Sequence, residues 1–173
     1  MKVHVITLGC RMSADDGAQA LAHLRQSGWQ SADSPEQADA ILLTTCAVRG
    51  HAEQRALSLI GRLREWKAKG PERLLVVAGC VAERLGPRLS RRFPHVDLVL
   101  GARQAGRYGE LVAQALAGRA AGPPVGGPLG SSETSRDQSR PRPSPVQTLT
   151  IMRGCSCRCS YCVVPSVRGP ARC

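Results

Sequence analysis

An open parallel α/β sheet with helices on both faces is the fold class this 173-residue sequence predicts. Two observations carry that expectation. Short apolar runs rich in Val, Ile and Leu alternate with stretches of helical periodicity four times before residue 118. Three cysteines, Cys10, Cys46 and Cys80, each follow directly on one of those runs. An apolar content of 42% suffices for an ordinary core, and the length suits one domain and the start of another.

Val3–Gly9 reads as a buried strand, and Ser13 with Asp15 and Asp16 caps a helix whose inner face is Ala14, Ala18, Leu21 and Leu24. Gly28 ends it. Ala40–Thr45 is the second strand, followed by a long helix over Ala52–Lys69 with Ala56, Leu59, Ile60, Leu63 and Trp66 on one side. Gly70 and Pro71 stop that helix. Leu74–Gly79 is the third strand and leads to an arginine-rich helical stretch over Glu83–Arg92. Val96–Leu100 is the fourth strand, and Arg107–Gly118 a helix that buries Tyr108, Leu111, Val112, Ala115 and Leu116.

In a parallel sheet all carboxyl ends lie along one edge, where ligands bind. Cys10, Cys46 and Cys80 stand at three such ends, so they converge although they are far apart in sequence. Gly9 and Gly79, each just before a cysteine, let the backbone turn and approach a ligand. Two readings stand side by side: a three-thiolate metal site, or three inert cysteines packed in a core.

Residues 119–145 are rich in Gly, Pro and Ser, lack apolar periodicity, and read as a flexible linker carrying Arg136, Arg140 and Arg142. Val146–Met152 reads as a strand running into a loop with Cys155, Cys159 and Cys162 in C-x3-C-x2-C spacing. Three thiolates on one short loop can face a single inorganic cluster. A [4Fe–4S] cube takes four ligands, so three leave one iron open to bind a reactant.

Charge narrows the partner. Residues 1–48 hold three basic and five acidic side chains, 49–120 fourteen and six, and 121–173 seven and two, for a net charge of +11. Such a field favours a polyanion, RNA foremost, against the alternative of plain solubility. Aromatic residues at 3% exclude the stacking platform of an RNA-recognition sheet. The amino-terminal run is too short and too interrupted for a signal peptide, and no run approaches the roughly 20 apolar residues of a membrane span. A cytoplasmic protein with reduced thiols and no membrane partner is expected.

The segment TIMRGCSCRCSYCVVPSVRG resembles the cluster loop of radical S-adenosylmethionine (SAM) methylthiotransferases. TLGCRMSADD around Cys10, TTCAVRGHAEQR around Cys46 and AGCVAERLG around Cys80 are similar to that family's amino-terminal motifs. AVR-x-x-AEQ after Cys46 is most like the branch that methylthiolates C2 of isopentenylated adenosine beside the tRNA anticodon. Other branches act on threonylcarbamoyl-adenosine or a ribosomal protein.

The resemblance implies two [4Fe–4S] clusters. Cys155, Cys159 and Cys162 would hold the one that binds and cleaves SAM, giving a radical that takes a hydrogen from the target. Cys10, Cys46 and Cys80 would hold an auxiliary cluster that donates sulfur, and a second SAM supplies the methyl group. It further implies a tRNA substrate, an external electron donor, an amino-terminal methylthiotransferase domain over 1–118, and the start of a radical-SAM α/β barrel over 146–173. Only the first strand and cluster loop of that barrel are expected here, which makes the chain an amino-terminal fragment that does not turn over alone. Arg11, Ser13 and Thr44 stand where the family usually has Gln, Asn and Asn, which alters the polar shell of the auxiliary site. Cys157, Cys173 and Ser166 are further departures, and neither extra thiol fits the ligand spacing. Arg49 and Glu53 are weaker candidates for shaping the auxiliary site.

Two competing classes remain from the residues alone. A zinc- or iron–sulfur-binding module could contact RNA without catalysis, although structural zinc favours four ligands in C-x2-C pairs. A flavodoxin-like nucleotide binder would lack a phosphate loop, since no glycine-rich phosphate motif follows a strand.

Overall fold

The computed structural model describes residues 1–48, 50–119, 149–157 and 159–173. Its centre is one parallel sheet of five strands, β1 (Lys2–Leu8), β2 (Gln30–Ser31), β3 (Ala40–Thr45), β4 (Leu74–Gly79) and β5 (Leu98–Gly101), in the order β2-β1-β3-β4-β5. Helices α1 (Arg11–Gln26), α2 (Gly50–Ala68), α3 (Cys80–Leu85), α4 (Pro87–Arg92) and α5 (Tyr108–Arg119) connect or follow the strands, and a short α6 (Val164–Arg168) lies in the last segment.

Every residue of β3 and β4 is buried, as expected of central strands covered on two faces. Their side chains alternate between two cores. Ile41, Leu43, Leu75 and Val77 meet Ile60, Leu63 and Trp66 of α2 with Val81 and Leu89 of α3 and α4. Ala40, Leu42, Leu74 and Val76 meet Ala20 and Leu24 of α1 with Tyr108 and Val112 of α5. Polar atoms caught in these layers are paired: Trp66 Nε1 donates to Pro35 O at 2.6 Å, Tyr108 OH to Gly101 O at 3.1 Å, and Thr45 Oγ1 to Ala78 O at 2.6 Å. His4 Nδ1 and His95 Nε2 lie 2.8 and 2.7 Å from the carbonyls of Ala32 and Ile60, so both imidazoles have packing roles.

The expected α/β class holds, with local differences. A two-residue edge strand, Gln30–Ser31, pairs with Lys2 and Val3 through backbone alone, and its polar side chains give no strand pattern. The helical stretch expected over Glu83–Arg92 is two helices, because Gly86 turns the chain at φ 48° and Pro87 opens α4. Helix α1 starts at Arg11, so Asp16 is not in its cap but on its buried face with Ser13, Gly17, Ala20 and Leu24. Arg119 belongs to α5, and the rest of the expected linker lies outside the described residues. Of the strand expected over 146–152, residues 149–152 carry no strand pairing and 146–148 lie outside the description. Pairing begins one residue later, in an isolated antiparallel bridge between Arg153 and Arg172.

Candidate metal centre

The strand order places the sheet's topological switch between β1 and β3, since the chain leaves β1 toward β2 on one side and returns to β3 on the other. Crevices at the carboxyl edge of such a switch are where open α/β sheets bind ligands. Cys10 follows β1 and Cys46 follows β3, so these two thiols flank the switch, and Cys80 follows β4 beside them. All three are free thiols. Cys46 and Cys80 are buried and Cys10 is half-buried.

The thiols interact. Burial pulls the Cys10 pKa upward, but hydrogen bonds involving the Ser13 backbone, the Cys46 side chain, the Met12 backbone and the Ser13 hydroxyl outweigh it and hold Cys10 below the ordinary thiol value. Cys10 immediately precedes α1, whose first backbone N–H groups supply part of that stabilisation. Ser13 also donates from Oγ to Cys10 O at 2.8 Å. Val48 N donates to Cys46 Sγ at 3.4 Å. Burial raises the Cys80 thiol, opposed by the charge of Arg168, by a hydrogen bond from the Arg168 side chain and by one from the Ala47 backbone.

Gly9 and Gly79 permit this convergence. A Cβ on Gly9 would strike Ser13 Oγ and Cys46 Cβ. Gly79 takes φ 102°, and a Cβ there would run into the backbone of Thr45. Both are therefore needed for close approach of the cysteine-bearing turns.

The second set sits on the last segment. Arg153 and Arg172 exchange backbone hydrogen bonds of 2.8 and 2.7 Å, Cys155 N donates to Gly169 O at 3.0 Å, and Cys162 N donates to Cys159 O at 3.2 Å. These bonds close a loop with Cys155 and Cys162 half-buried and Cys157 and Cys159 exposed. Cys157 lies against Cys155, and this hydrogen bond, then the charges of Cys155 and Cys162, push its thiol upward. The structure thus brings Cys155, Cys157 and Cys162 into one neighbourhood, and Cys157 and Cys159 are its exposed members.

Among the described residues, no group of three or more His, Cys, Asp or Glu side chains is arranged to hold a single metal ion. A multi-iron cube differs from one ion, because its thiolates bind separate irons and stand further apart. Two sets of free thiols, one of them carried on tight backbone turns beside a buried guanidinium, are a donor set that fits anionic iron–sulfur clusters.

Sequence reasoning missed the joint between the two segments. Asp16 is 1% exposed, and its carboxylate pairs with Arg153 through Oδ1 and with Arg168 through Oδ2, the latter at 2.8 Å. Arg153 Nη2 also donates to Gln19 Oε1 at 2.8 Å, and Thr150 Oγ1 donates to Asp15. Arg103 Nη2 donates to Ser166 O at 2.9 Å. Val167 packs into a buried cluster with Cys80 and Ala102, against Ala47 and Val163. The last segment therefore covers the amino-terminal cysteine site. Asp16 itself was the available signal. An aspartate at helical spacing with Ala20 and Leu24 demands a buried cation, and arginines flank the distant cysteine loop. Of the weaker candidates, Glu53 pairs with Arg84, while Arg49 lies outside the described residues.

Residues 2–101 match the model of a family described as "Uncharacterized protein family UPF0004". The chain is 37% identical over 169 residues to the tRNA-2-methylthio-N(6)-dimethylallyladenosine synthase of Endomicrobium trichonymphae, covering 98% of this chain and 38% of that protein. It is 41% identical over 168 residues to the protein of the same name from Anaeromyxobacter sp. (strain Fw109-5), covering 97% of this chain and 36% of the relative. A third such synthase, from Syntrophobacter fumaroxidans, is 41% identical over 171 residues, covering 98% and 38%. The chain thus spans well under half the length of these relatives.

Proposed function

The chain belongs to the uncharacterized protein family UPF0004, and from its likeness over nearly its whole length to tRNA-2-methylthio-N(6)-dimethylallyladenosine synthases we propose that it is part of a tRNA methylthiotransferase. The substrate is tRNA carrying isopentenylated adenosine beside the anticodon, with the methylthio group added at C2 of the base. The names of the relatives support this reading, and so does the match around Cys46. The single observation that carries it is the meeting of Cys10, Cys46 and Cys80 at the switch of the sheet, beneath the segment that bears Cys155, Cys159 and Cys162.

In this reading Cys10, Cys46 and Cys80 hold one [4Fe–4S] cluster, and Cys155, Cys159 and Cys162 hold another that binds SAM. When bound, these cofactors supply one-electron cleavage of SAM and the sulfur that reaches the base. The chain's own residues do the holding. Gly9 and Gly79 allow the turns to approach, and the first N–H groups of α1 stabilise Cys10 as a thiolate. Arg168 offsets negative charge at Cys80, and the Asp16 ion pairs fix the second cysteine segment over the first site.

In this reading the auxiliary-site domain runs to the end of α5 at Arg119, and the last segment begins the SAM-binding domain. The positive field attracts tRNA. An external donor supplies electrons, and the reaction runs in the cytoplasm. Among the described residues no helix is long and apolar enough to cross a membrane.

The deciding assay uses the full-length protein with reduced cofactors, SAM and tRNA bearing isopentenylated adenosine. Mass spectrometry of the digested tRNA is expected to show the methylthio nucleoside, absent when Cys10, Cys46 or Cys80 is replaced by Ala. Formation of that product by the Cys46→Ala variant at the parent's rate would contradict the reading.

A further inference from the structure

Several cations of the sheet domain are neutralised within it. Lys67 pairs with Asp97, Arg84 with Glu53, Arg103 with Glu83 and Arg107 with Glu110. Arg55 and Arg62 of α2 are exposed and, among the described residues, stand in no ion pair. Seven residues separate them, so they share one flank of the helix about 10 Å apart along its axis. A groove of about 400 Å³ follows that flank, lined by both arginines with Leu8 of β1 and His51, Gln54 and Ser58 of α2, and by no acidic side chain.

Its position matters as much as its charge. Leu8 ends β1 two residues before Cys10, and α2 begins at Gly50 four residues after Cys46, so both walls rise from the cysteines that flank the switch of the sheet. No described residue of the last segment lines the groove. The next groove along α2 shares Arg62 but sets Glu36 and Glu65 against Lys69 and Arg73, which partly cancels its charge. A further groove holds Arg64 and Arg92, but there Arg92 lies 5.3 Å from the centre of the Phe93 ring and the wall is the turn before β5, at the sheet's amino edge. Guanidiniums hold phosphate oxygens through charge-assisted bonds. Two of them about 10 Å apart, with an amide, a hydroxyl and an imidazole alongside, fit successive phosphates and the ribose hydroxyls of one RNA strand better than a single small anion.

We propose that this flank of α2 is a docking groove for the sugar–phosphate backbone of the tRNA strand that carries the target adenosine, with Arg55 and Arg62 each holding a phosphate. The inference rests on the reading of the chain as part of a tRNA methylthiotransferase. It adds a track to that reading, because a backbone fixed here leads the neighbouring base to the edge that bears Cys10 and Cys46.

The test measures binding of the chain to tRNA bearing isopentenylated adenosine, by fluorescence anisotropy at several salt concentrations. Arg55→Ala combined with Arg62→Ala is expected to weaken binding at least about tenfold and to flatten the salt dependence by roughly two phosphate contacts. Arg64→Ala combined with Arg92→Ala removes the same charge from the other groove and is expected to weaken binding less than about threefold. Arg55→Lys with Arg62→Lys is expected to restore most of the affinity, since a point charge still holds a phosphate. All four residues are exposed, so the urea midpoint of each variant should match the parent's. Equal weakening by the two alanine pairs overturns the inference alone, because bulk charge would then account for binding, and so does an Arg55/Arg62 pair that binds like the parent. A parent without affinity for tRNA overturns the inference together with the polyanion reading, and leaves the cysteine sites to be judged by their iron.

Discussion

Replacing Asp16 with Asn is expected to release the last segment from the sheet while leaving the sheet folded. The carboxylate is 1% exposed and holds two guanidiniums, of which that of Arg168 is itself 7% exposed. Removing one member of a buried ion pair costs about 3–5 kcal/mol, because the partner charge stays buried without compensation. The main apolar contact on the same interface is Val167 in the pocket of Cys80 and Ala102, and one such side chain contributes about 1.5–3 kcal/mol. The loss therefore rivals or exceeds the remaining apolar hold, and the segment opens. A loss of about 3 kcal/mol raises the open population roughly a hundredfold. Cys80 reports it, being 2% exposed under Val167, whereas half-buried Cys10 serves as an internal reference. In the metal-free, reduced chain, alkylation of Cys80 followed by mass spectrometry is expected to accelerate by about that factor relative to Cys10. Urea unfolding of the sheet should keep its midpoint within a few tenths of a molar. An unchanged Cys80 rate in Asp16→Asn would refute the idea that this ion pair joins the segments.

Three further perturbations probe the sheet and its charge. Gly79→Ala forces a side chain into a backbone at φ 102° and against Thr45, so a loss of about 2–4 kcal/mol in urea unfolding is expected, and a loss under about 1 kcal/mol would mean the turn relaxes freely. Trp66→Phe removes the 2.6 Å bond to Pro35 O while keeping most of the buried ring, and is expected to cost about 1–2 kcal/mol by the same measurement. Binding of an unmodified tRNA by the chain should weaken roughly twentyfold between about 50 and 200 mM salt if three phosphates are neutralised, and salt-independent binding would contradict the polyanion reading.

The central strands were legible because their physics is local. Ala40–Thr45 and Leu74–Gly79 are continuous apolar runs bounded by turn residues, and the structure reproduces both spans. The convergence of Cys10, Cys46 and Cys80 followed from parallel topology alone, since all carboxyl ends share an edge. What escaped is non-local. The edge strand Gln30–Ser31 is defined by two backbone pairings and carries no side-chain pattern. Asp16 resembles a first-turn capping residue until the helix is seen to begin at Arg11, which turns the aspartate inward. Its partners Arg153 and Arg168 are separated from it by more than a hundred residues, and the one hint was an acid on an otherwise small and apolar face. Cys157 was set aside on spacing, yet its thiol meets Cys155, a contact that depends on how the loop closes.

Two separate three-thiolate sites are the central claim, and iron counting tests it most directly. After anaerobic reconstitution the chain is expected to hold about eight irons with absorption at about 400 nm, falling to about four when Cys10, Cys46 and Cys80 are replaced by Ala and again to about four when Cys155, Cys159 and Cys162 are replaced instead. Replacing Cys157 or Cys173 should leave the count unchanged. A tightly bound, colourless zinc, or an iron count indifferent to one of the two cysteine sets, would contradict the account.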